Sequence, residues 1–355
     1  MRDARVLLNA KALTHNLHRV REYAPHSHVL AMVKADAYGH GLAFALSALQ
    51  DADALGVAFF QEARDIRALG NTQPIVVIEG AFSLEEWIES SKIGTQCAIH
   101  QERQLEWALQ HIIPNATIWL KVNTGMNRLG LTPEQTITAA EQLRAAGYQL
   151  ILTTHFANAD EPDHPINQQQ IDTFLTLKAQ LEPIQVSMCN SAAIMQWPEL
   201  HLDWVRPGIM LYGSSPFADH TAQQLNLQPV MSLKTRLIAM HQIAAGVTVG
   251  YGARYTTTRP THLGVVAMGY GDGYPRVVDH AQVSINGQLI PIIGRISMDM
   301  LTVDLTDLST SPNLDDEVVM WGGEISVDQI AAAAGTIGYE LFTRLSMRPV
   351  RYITQ

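Results

Sequence analysis

Short apolar runs alternate with amphipathic stretches over the first two thirds of this sequence, and this alternation constrains the fold more than any other feature. Residues 29–33 (VLAMV) form one such run, and residues 54–58 (ALGVA) and 75–78 (IVVI) form two more. Runs that are apolar throughout are typical of parallel strands covered on both faces. About eight strand–helix units precede residue 215, which predicts a (β/α)8 TIM barrel, with a doubly wound sheet as the alternative.

The pattern changes after about residue 225. Strand-like runs then follow one another closely, with one short helical pattern at residues 327–334. The Asn286-Gly287 pair between two of these runs is typical of a type I′ hairpin turn. We therefore predict two domains, a barrel over residues 1–226 and a mostly-β domain over residues 227–355.

The composition argues against several classes of protein. The 355 residues carry a net charge of −10 without a basic cluster, so nucleic acid is a poor partner. No run of about 18 apolar residues predicts a membrane span, and the N-terminus lacks an apolar secretory segment. We therefore predict a cytoplasmic protein. Its two cysteines, Cys97 and Cys189, are expected to be buried and unpaired.

A lysine directly after the first apolar run is the first sign of chemistry. Lys34 follows residues 29–33, and the carboxyl ends of barrel strands face the active site. Burial at this place would lower the pKa of the amine and make it nucleophilic toward an aldehyde. Position alone is equally compatible with a lysine whose amine reaches into solvent.

The segment around Lys34, MVKADAYGHG, is the first of a series of motifs spread along nearly the whole chain. The others occupy residues 121–130, 154–160, 190–193, 205–213, 250–255, 269–276, 294–300 and 338–340. In content and order, these motifs resemble those of the alanine racemase family. The resemblance implies a pyridoxal-phosphate-dependent racemase acting on alanine, with a barrel and a β domain arranged in a head-to-tail homodimer.

The resemblance also implies two catalytic bases. Lys34 would bind the cofactor covalently and then move a proton at the substrate α-carbon, and Tyr251 would serve the opposite face. A tyrosine has a reference pKa of about 10, so Tyr251 needs a perturbing environment to act as a base. Because the two residues lie in different domains, the resemblance implies active sites shared between the subunits of the homodimer.

The implied cofactor site centres on Arg206, which would face the pyridine nitrogen. Because arginine keeps its proton, the nitrogen would stay unprotonated, which is expected to suppress transamination. His155 would extend a polar chain from Arg206 toward Tyr251. Taken singly, Arg206 is more typical of a rim ion pair, His155 of a core histidine and Ser191 of a helix cap. The other implied cofactor-binding residues are Tyr38, Asn190, Ser191, Gly208, Ile209 and Tyr339.

The implied substrate site consists of Arg128, Tyr270, Met298 and Asp299. Arg128 can meet the alanine carboxylate as a guanidinium donor. Met298 would contribute its backbone amide, and Asp299 would lie on the carboxylate side. Tyr270, with Tyr339, would narrow the entrance and favour a side chain as small as methyl.

Lys121 matches a lysine that is often N-carboxylated in the family, and its carbamate would hold Arg128 in place. The chain departs from the family pattern at Asn123, where many members carry an acidic residue. It departs again at residues 347–351 (MRPVR), where we expect an effect on packing rather than on chemistry.

Three alternatives share part of this pattern. A pyridoxal-phosphate amino-acid decarboxylase with a barrel and a β domain would need no second base at Tyr251. A broad-spectrum racemase is typically exported, and this N-terminus lacks an export signal. A non-enzymatic pyridoxal-phosphate carrier uses the same barrel but has no second domain.

Overall fold

The computed structural model describes residues 3–354 and contains a closed parallel barrel followed by a mostly-β unit. The barrel strands are β2 (His28–Met32), β3 (Ala54–Val57), β4 (Ile75–Val77), β5 (Thr95–Ile99), β6 (Thr117–Lys121), β7 (Gln149–Thr153), β8 (Gln185–Ser187) and β9 (Trp204–Val205). Each strand pairs in parallel with the next, and β9 returns to β2 through the pair Val29–Val205. This closure confirms the predicted barrel and excludes a doubly wound sheet.

Helices cover the outside of the barrel. They are α1 (Ala10–Tyr23), α2 (Leu42–Ala48), α3 (Phe60–Ala68), α4 (Leu84–Ile93), α5 (Glu102–Gln110), α6 (Pro133–Ala145), α7 (Pro165–Leu181) and α8 (Ser191–Gln196). Helix α6 begins with a capping box, in which the Thr132 and Gln135 side chains each bond the other's backbone amide, at 3.2 and 3.0 Å. Short 3₁₀ turns at Pro198–Leu200 and Ile209–Tyr212 complete this part of the chain.

The second unit is built on one large sheet. Its strands are β1 (Arg5–Asn9), β10 (Met231–Ile243), β13 (Thr261–Val266), β14 (Gln282–Ile285), β15 (Gln288–Ile293), β16 (Leu301–Asp304), β17 (Glu317–Trp321) and β18 (Val350–Thr354). Strands β11 (Thr248–Val249) and β12 (Tyr255–Thr256) form a separate hairpin, and helices α9 (Val327–Ala333) and α10 (Gly338–Arg344) lie between β17 and β18 in the chain. Asn286 and Gly287 both have positive φ, as the predicted hairpin turn requires.

The first strand lies in the second sheet although it precedes the barrel in the chain. Arg5–Leu8 pairs antiparallel with β10, and Arg5–Asn9 pairs parallel with β18. The predicted division at residue 226 had placed this strand with the barrel. The apolar interior is continuous across both units, with Trp119 in the barrel and Trp321 in the sheet among its largest fully buried side chains.

Within residues 3–354, no helix is both long and apolar enough to cross a membrane. Cys97 and Cys189 are buried thiols, as predicted.

Candidate active site

A cavity of about 560 Å³ lies at the carboxyl ends of the barrel strands. Its volume falls within the range of pockets that hold small ligands. Every residue that the sequence predicted on the barrel side lines this cavity, and Tyr339 from α10 joins them. These residues are Lys34, Tyr38, Lys121, Arg128, His155, Asn190, Ser191, Arg206, Gly208 and Ile209.

Lys34 begins an unusual turn at the end of β2. Ala35, Asp36, Ala37 and Tyr38 all have positive φ of 53–54°, so the chain makes one left-handed helical turn before Gly39. This turn brings both the Lys34 amine and the Tyr38 ring to the cavity wall. Burial lowers the pKa of Lys34, and the Glu79 carboxylate partly offsets this effect.

Arg206 is buried beneath the cavity and held by three hydrogen bonds. Its guanidinium donates to the Ser187 hydroxyl at 2.6 Å and to the carbonyls of Thr154 at 2.5 Å and Met188 at 3.3 Å. Burial lowers the pKa of Arg206 to about 10, so the group stays charged at neutral pH. Its orientation is fixed by these bonds rather than by a carboxylate partner.

Hydroxyl and amide groups form a cluster in the cavity wall. The Ser191 hydroxyl accepts hydrogen bonds from the backbone amides of Gly208 at 2.9 Å and Met210 at 3.4 Å. A Cβ atom at Gly208 would lie 2.4 Å from the Tyr38 hydroxyl, so only glycine allows this close approach. The Tyr38 ring stacks on Tyr212, with centroids 4.7 Å apart.

The hydroxyls of the two cavity tyrosines keep their protons. Burial raises the pKa of both Tyr38 and Tyr339, whose ring centroids lie 6.0 Å apart. Both therefore remain neutral hydrogen-bond donors at physiological pH. The Asn190 side chain has a different function, because its oxygen accepts from the Ala193 amide at 3.1 Å and caps α8.

A buried amide that the sequence did not single out supports His155. The Gln170 side chain on α7 donates to the His155 carbonyl at 2.9 Å and to the Thr124 hydroxyl at 3.0 Å, and it accepts from the Ala157 amide at 2.9 Å. Thr124 is in turn 2.8 Å from the Thr154 hydroxyl. Burial and the nearby Arg206 lower the pKa of His155 well below its usual range, so its ring is neutral.

Lys121 lies among other cations in the cavity wall. Burial, Arg206 and Arg128 together lower the pKa of its amine to about 8. The uncharged Asn123 side chain does not supply a negative charge that would balance these cations. It accepts from the amides of Gly125 at 3.1 Å and Asn127 at 3.0 Å and donates to the Asn127 side chain at 2.9 Å. The residue therefore shapes the loop that leads to Arg128.

Apart from Tyr339, the predicted residues of the second unit do not line this cavity. Tyr251, Tyr270 and Met298 are exposed by 69%, 38% and 54%, respectively. The Gly271 amide donates to the Met298 carbonyl at 2.9 Å, so the Tyr270 and Met298 turns lie side by side. The structure thus brings the barrel residues and Tyr339 together within one chain, and it presents Tyr251, Tyr270 and Met298 on an exposed surface.

Arg348 holds the two exposed turns together, although the sequence had assigned its segment a packing role only. Its guanidinium donates to Asp299 at 2.5 Å and lies 3.5 Å from the buried carboxylate of Asp272. Asp299, predicted on the substrate side, is therefore neutralised by an arginine of its own chain. The altered motif at residues 347–351 was the sequence signal that marked this place.

The barrel, the β unit and the lysine at the cavity mouth define an enzyme that uses a nucleophilic lysine. Models of the alanine racemase N-terminal and C-terminal domains match residues 8–216 and 230–353. An alanine racemase of Psychrobacter sp. (strain PRwf-1) is 52% identical over 99% of this chain and 100% of its own length. The chain therefore belongs to the alanine racemase family.

Solved structures agree with this assignment. The alanine racemase from Acinetobacter baumannii has a TM-score of 0.97 at 46% identity, over 100% of both chains. The alanine racemase from Bartonella henselae with covalently bound pyridoxal phosphate has a TM-score of 0.90 at 28% identity, over 99% of each chain. The predicted family, fold class and racemase activity are confirmed, against the decarboxylase and the single-domain carrier considered above.

Proposed function

We propose that this alanine racemase interconverts L-alanine and D-alanine with pyridoxal phosphate held in the barrel cavity and with Lys34 and Tyr251 as two opposed bases. The observation that carries the proposal is the convergence on one cavity of a partly buried lysine, a buried arginine and a cluster of hydroxyl donors. The alternative of a broad-spectrum racemase is less well supported, because the relatives described above are alanine racemases.

The groups that line the cavity fit pyridoxal phosphate, which the Bartonella henselae relative carries covalently bound. Tyr38, Tyr339, Ser191 and the amides at Gly208 and Ile209 would hold the phosphate, since neutral hydroxyls and amides are anion donors. When bound, the cofactor supplies an aldehyde for an amine and a conjugated ring that accepts electron density from the α-carbon. Arg206 would donate to the ring nitrogen without transferring a proton, because its pKa remains about 10.

Burial lowers the pKa of the Lys34 amine, which favours its use as a proton acceptor. Its Nζ atom would take or return the α-proton of D-alanine. The Tyr251 hydroxyl would perform the same transfer on the opposite face, for L-alanine. Arg128 would bind the substrate carboxylate, and the backbone amide of Met298 would assist it.

The exposure of Tyr251, Tyr270 and Met298 supports a homodimer with shared sites. A tyrosine that is 69% exposed lacks the enclosed polar surroundings of a catalytic group. Docking of this surface over the cavity of a second subunit would supply them, through the neutral His155 and the charged Arg206. A cytoplasmic location remains a prediction from the sequence.

The two-base mechanism is tested by exchange of the α-hydrogen in deuterated water. Tyr251→Phe removes one hydroxyl and should slow exchange of L-alanine by about 10²–10⁴. D-alanine should retain measurable exchange through Lys34, although racemisation falls in both directions. Tyr255→Phe, four residues further on, is the matched control and should leave both exchange rates unchanged. Equal loss for both enantiomers, with cofactor bound and dimer intact, would show that the two faces are not served by separate bases.

The shared site is tested by mixing two inactive variants, Lys34→Ala and Tyr251→Phe, under conditions that exchange subunits. Each heterodimer would contain one intact site and one doubly altered site, so activity should return. Light scattering or mass spectrometry would verify that heterodimers have formed. If they form and remain inactive, Lys34 and Tyr251 do not meet across the subunit interface.

A further inference from the structure

The left-handed turn after Lys34 has a backbone conformation that is unfavourable for residues other than glycine. Four consecutive residues other than glycine, Ala35–Tyr38, adopt positive φ. In this region the Cβ atom crowds the following carbonyl oxygen, so such runs are rare without external support. The same turn determines where Lys34 and Tyr38 enter the cavity. The groups that stabilise it therefore control the geometry of the candidate base.

One carboxylate supports this turn from the neighbouring strand–helix unit. Glu62 on α3 accepts a hydrogen bond from the Ala35 amide at 2.6 Å through one oxygen. Its other oxygen accepts from the amides of Ala58 at 2.7 Å and Phe59 at 3.2 Å. Glu62 thus ties the end of β2 to the end of β3 and uses both carboxylate oxygens to do so.

The other contacts of the turn do not replace Glu62. The Asp36 side chain accepts from the Leu42 amide at 2.7 Å and so fixes the far end of the turn. At the near end, the Val33 amide donates to the Gly56 carbonyl at 2.8 Å. The Ala35 amide adjoins Lys34 in the backbone, and Glu62 holds it. Lys34 is therefore pinned on both sides, by a backbone bond before it and by the Glu62 carboxylate after it.

Glu62 also acts on the Lys34 side chain through space. Its negative charge favours the protonated amine, in the same direction as Glu79 and against the effect of burial. The carboxylate thus has a geometric and an electrostatic influence on the same lysine. Nothing comparable links Glu62 to Tyr251, which lies in the second unit.

We propose that Glu62 is a positioning residue for Lys34: by holding the left-handed turn, it orients the lysine for covalent attachment of the cofactor and for proton transfer on the D-alanine face. The proposal rests on the proposed function, because it assigns Lys34 to one face only. Loss of Glu62 should therefore affect the two enantiomers unequally. A residue that only stabilised the barrel would affect them equally.

The test compares Glu62→Gln with Asp65→Asn, which makes the same carboxylate-to-amide change three residues further along α3, at an exposed position. An amide has one acceptor oxygen, so it cannot hold the three backbone amides that the carboxylate holds. We expect exchange of the D-alanine α-hydrogen to fall about 10- to 100-fold in Glu62→Gln, the scale of a misplaced catalytic group. L-alanine exchange should fall less, and Asp65→Asn should match the parent protein.

A second readout does not depend on turnover. Cofactor-free protein is mixed with pyridoxal phosphate, the adduct is trapped with borohydride, and the pyridoxyl group on Lys34 is counted by mass spectrometry over time. Glu62→Gln should slow labelling of Lys34, whereas Asp65→Asn should not. Should Glu62→Gln fail to fold, Glu62→Asp keeps the charge, shortens the reach and should show the same pattern more weakly.

The outcomes separate this proposal from the two-base mechanism. Equal loss of exchange for both enantiomers in Glu62→Gln, with labelling of Lys34 unchanged, would overturn the role of Glu62. Equal loss for both in Tyr251→Phe would overturn the two-base mechanism instead. In that case, slow labelling of Lys34 in Glu62→Gln still supports the positioning role, and normal labelling contradicts it.

Discussion

Replacing Gln170 by leucine should both destabilise the barrel and disturb the cavity. The side chain is fully buried and makes three hydrogen bonds with residues of two other segments. Gln170→Leu preserves the approximate shape but removes all three bonds. Thr124 keeps Thr154 as a partner, whereas the His155 carbonyl and the Ala157 amide lose their bonds to the Gln170 side chain.

The magnitude follows from those two backbone groups. A buried polar group left without a partner costs about 1–3 kcal/mol. His155 and Ala157 are only partly buried, so water can satisfy part of each loss and the lower end of that range applies. We therefore expect Gln170→Leu to lower the free energy of unfolding by about 2–3 kcal/mol.

Urea unfolding followed by circular dichroism measures this change, with Gln169→Leu as the control. Gln169 precedes Gln170 on α7 but is exposed, so its replacement should change the free energy of unfolding by about 0.5 kcal/mol or less. Gln170→Leu should also weaken retention of pyridoxal phosphate on dialysis, because His155 and Thr154 line the cavity. Equal stabilities of the two variants would refute the assigned contribution of this network.

Two further predictions concern titratable groups. The Lys121 amine, with its pKa of about 8, becomes neutral above that pH and can then react with carbon dioxide, losing a proton to form a carbamate. In ¹³C-bicarbonate, a carbamate resonance should grow between pH 7 and pH 9 and be absent from Lys121→Ala; its absence from the parent protein as well would contradict carboxylation. Burial lowers the pKa of His40 in the folded protein to about 4, whereas the reference pKa is 6.5. As the pH falls below 6.5, His40 is therefore protonated in the unfolded chain before it is protonated in the folded one, which favours unfolding. The parent protein should lose roughly 3 kcal/mol of unfolding free energy between pH 6.5 and pH 4 through this group, a loss that His40→Phe should lack. If the unfolding free energies of the parent protein and of His40→Phe fell equally with pH, His40 would not be the source of the loss.

Local sequence patterns were sufficient to predict the barrel and to place Lys34 at a strand end, whereas the other residues of the site were implied by the family resemblance. The apolar run at residues 29–33 became β2, and Lys34 follows it at the cavity as expected. Such features can be predicted because a strand that is buried on both faces must be apolar along its length. The position of a side chain at its carboxyl end then follows from the barrel itself.

Two features of the site could not be predicted because they depend on distant parts of the chain. Residues 35–38 (ADAY) favour an ordinary right-handed turn by composition, and the left-handed one is supported by contacts that include the distant Glu62. Gln170 stands beside two other glutamines, Gln168 and Gln169, and nothing local distinguishes it. Its importance comes from Thr124, 46 positions earlier in the chain.

The predicted division into residues 1–226 and 227–355 remains a proposal. The position of β1 decides which segments the second domain must include. β18 has β1 as its one neighbour in the described sheet, so a second domain cut at residue 227 would lose the partner that holds its last strand. β1 cannot be assigned freely to either side, because the Asn9 side chain accepts from the Ala12 amide at 3.0 Å and so begins the first barrel helix. One residue thus ends a strand of the sheet and caps a helix of the barrel. This junction, with the Ser214 hydroxyl bound to Asp328 at 2.5 Å, fixes the β unit against the barrel, so its exposed tyrosines are presented in one orientation.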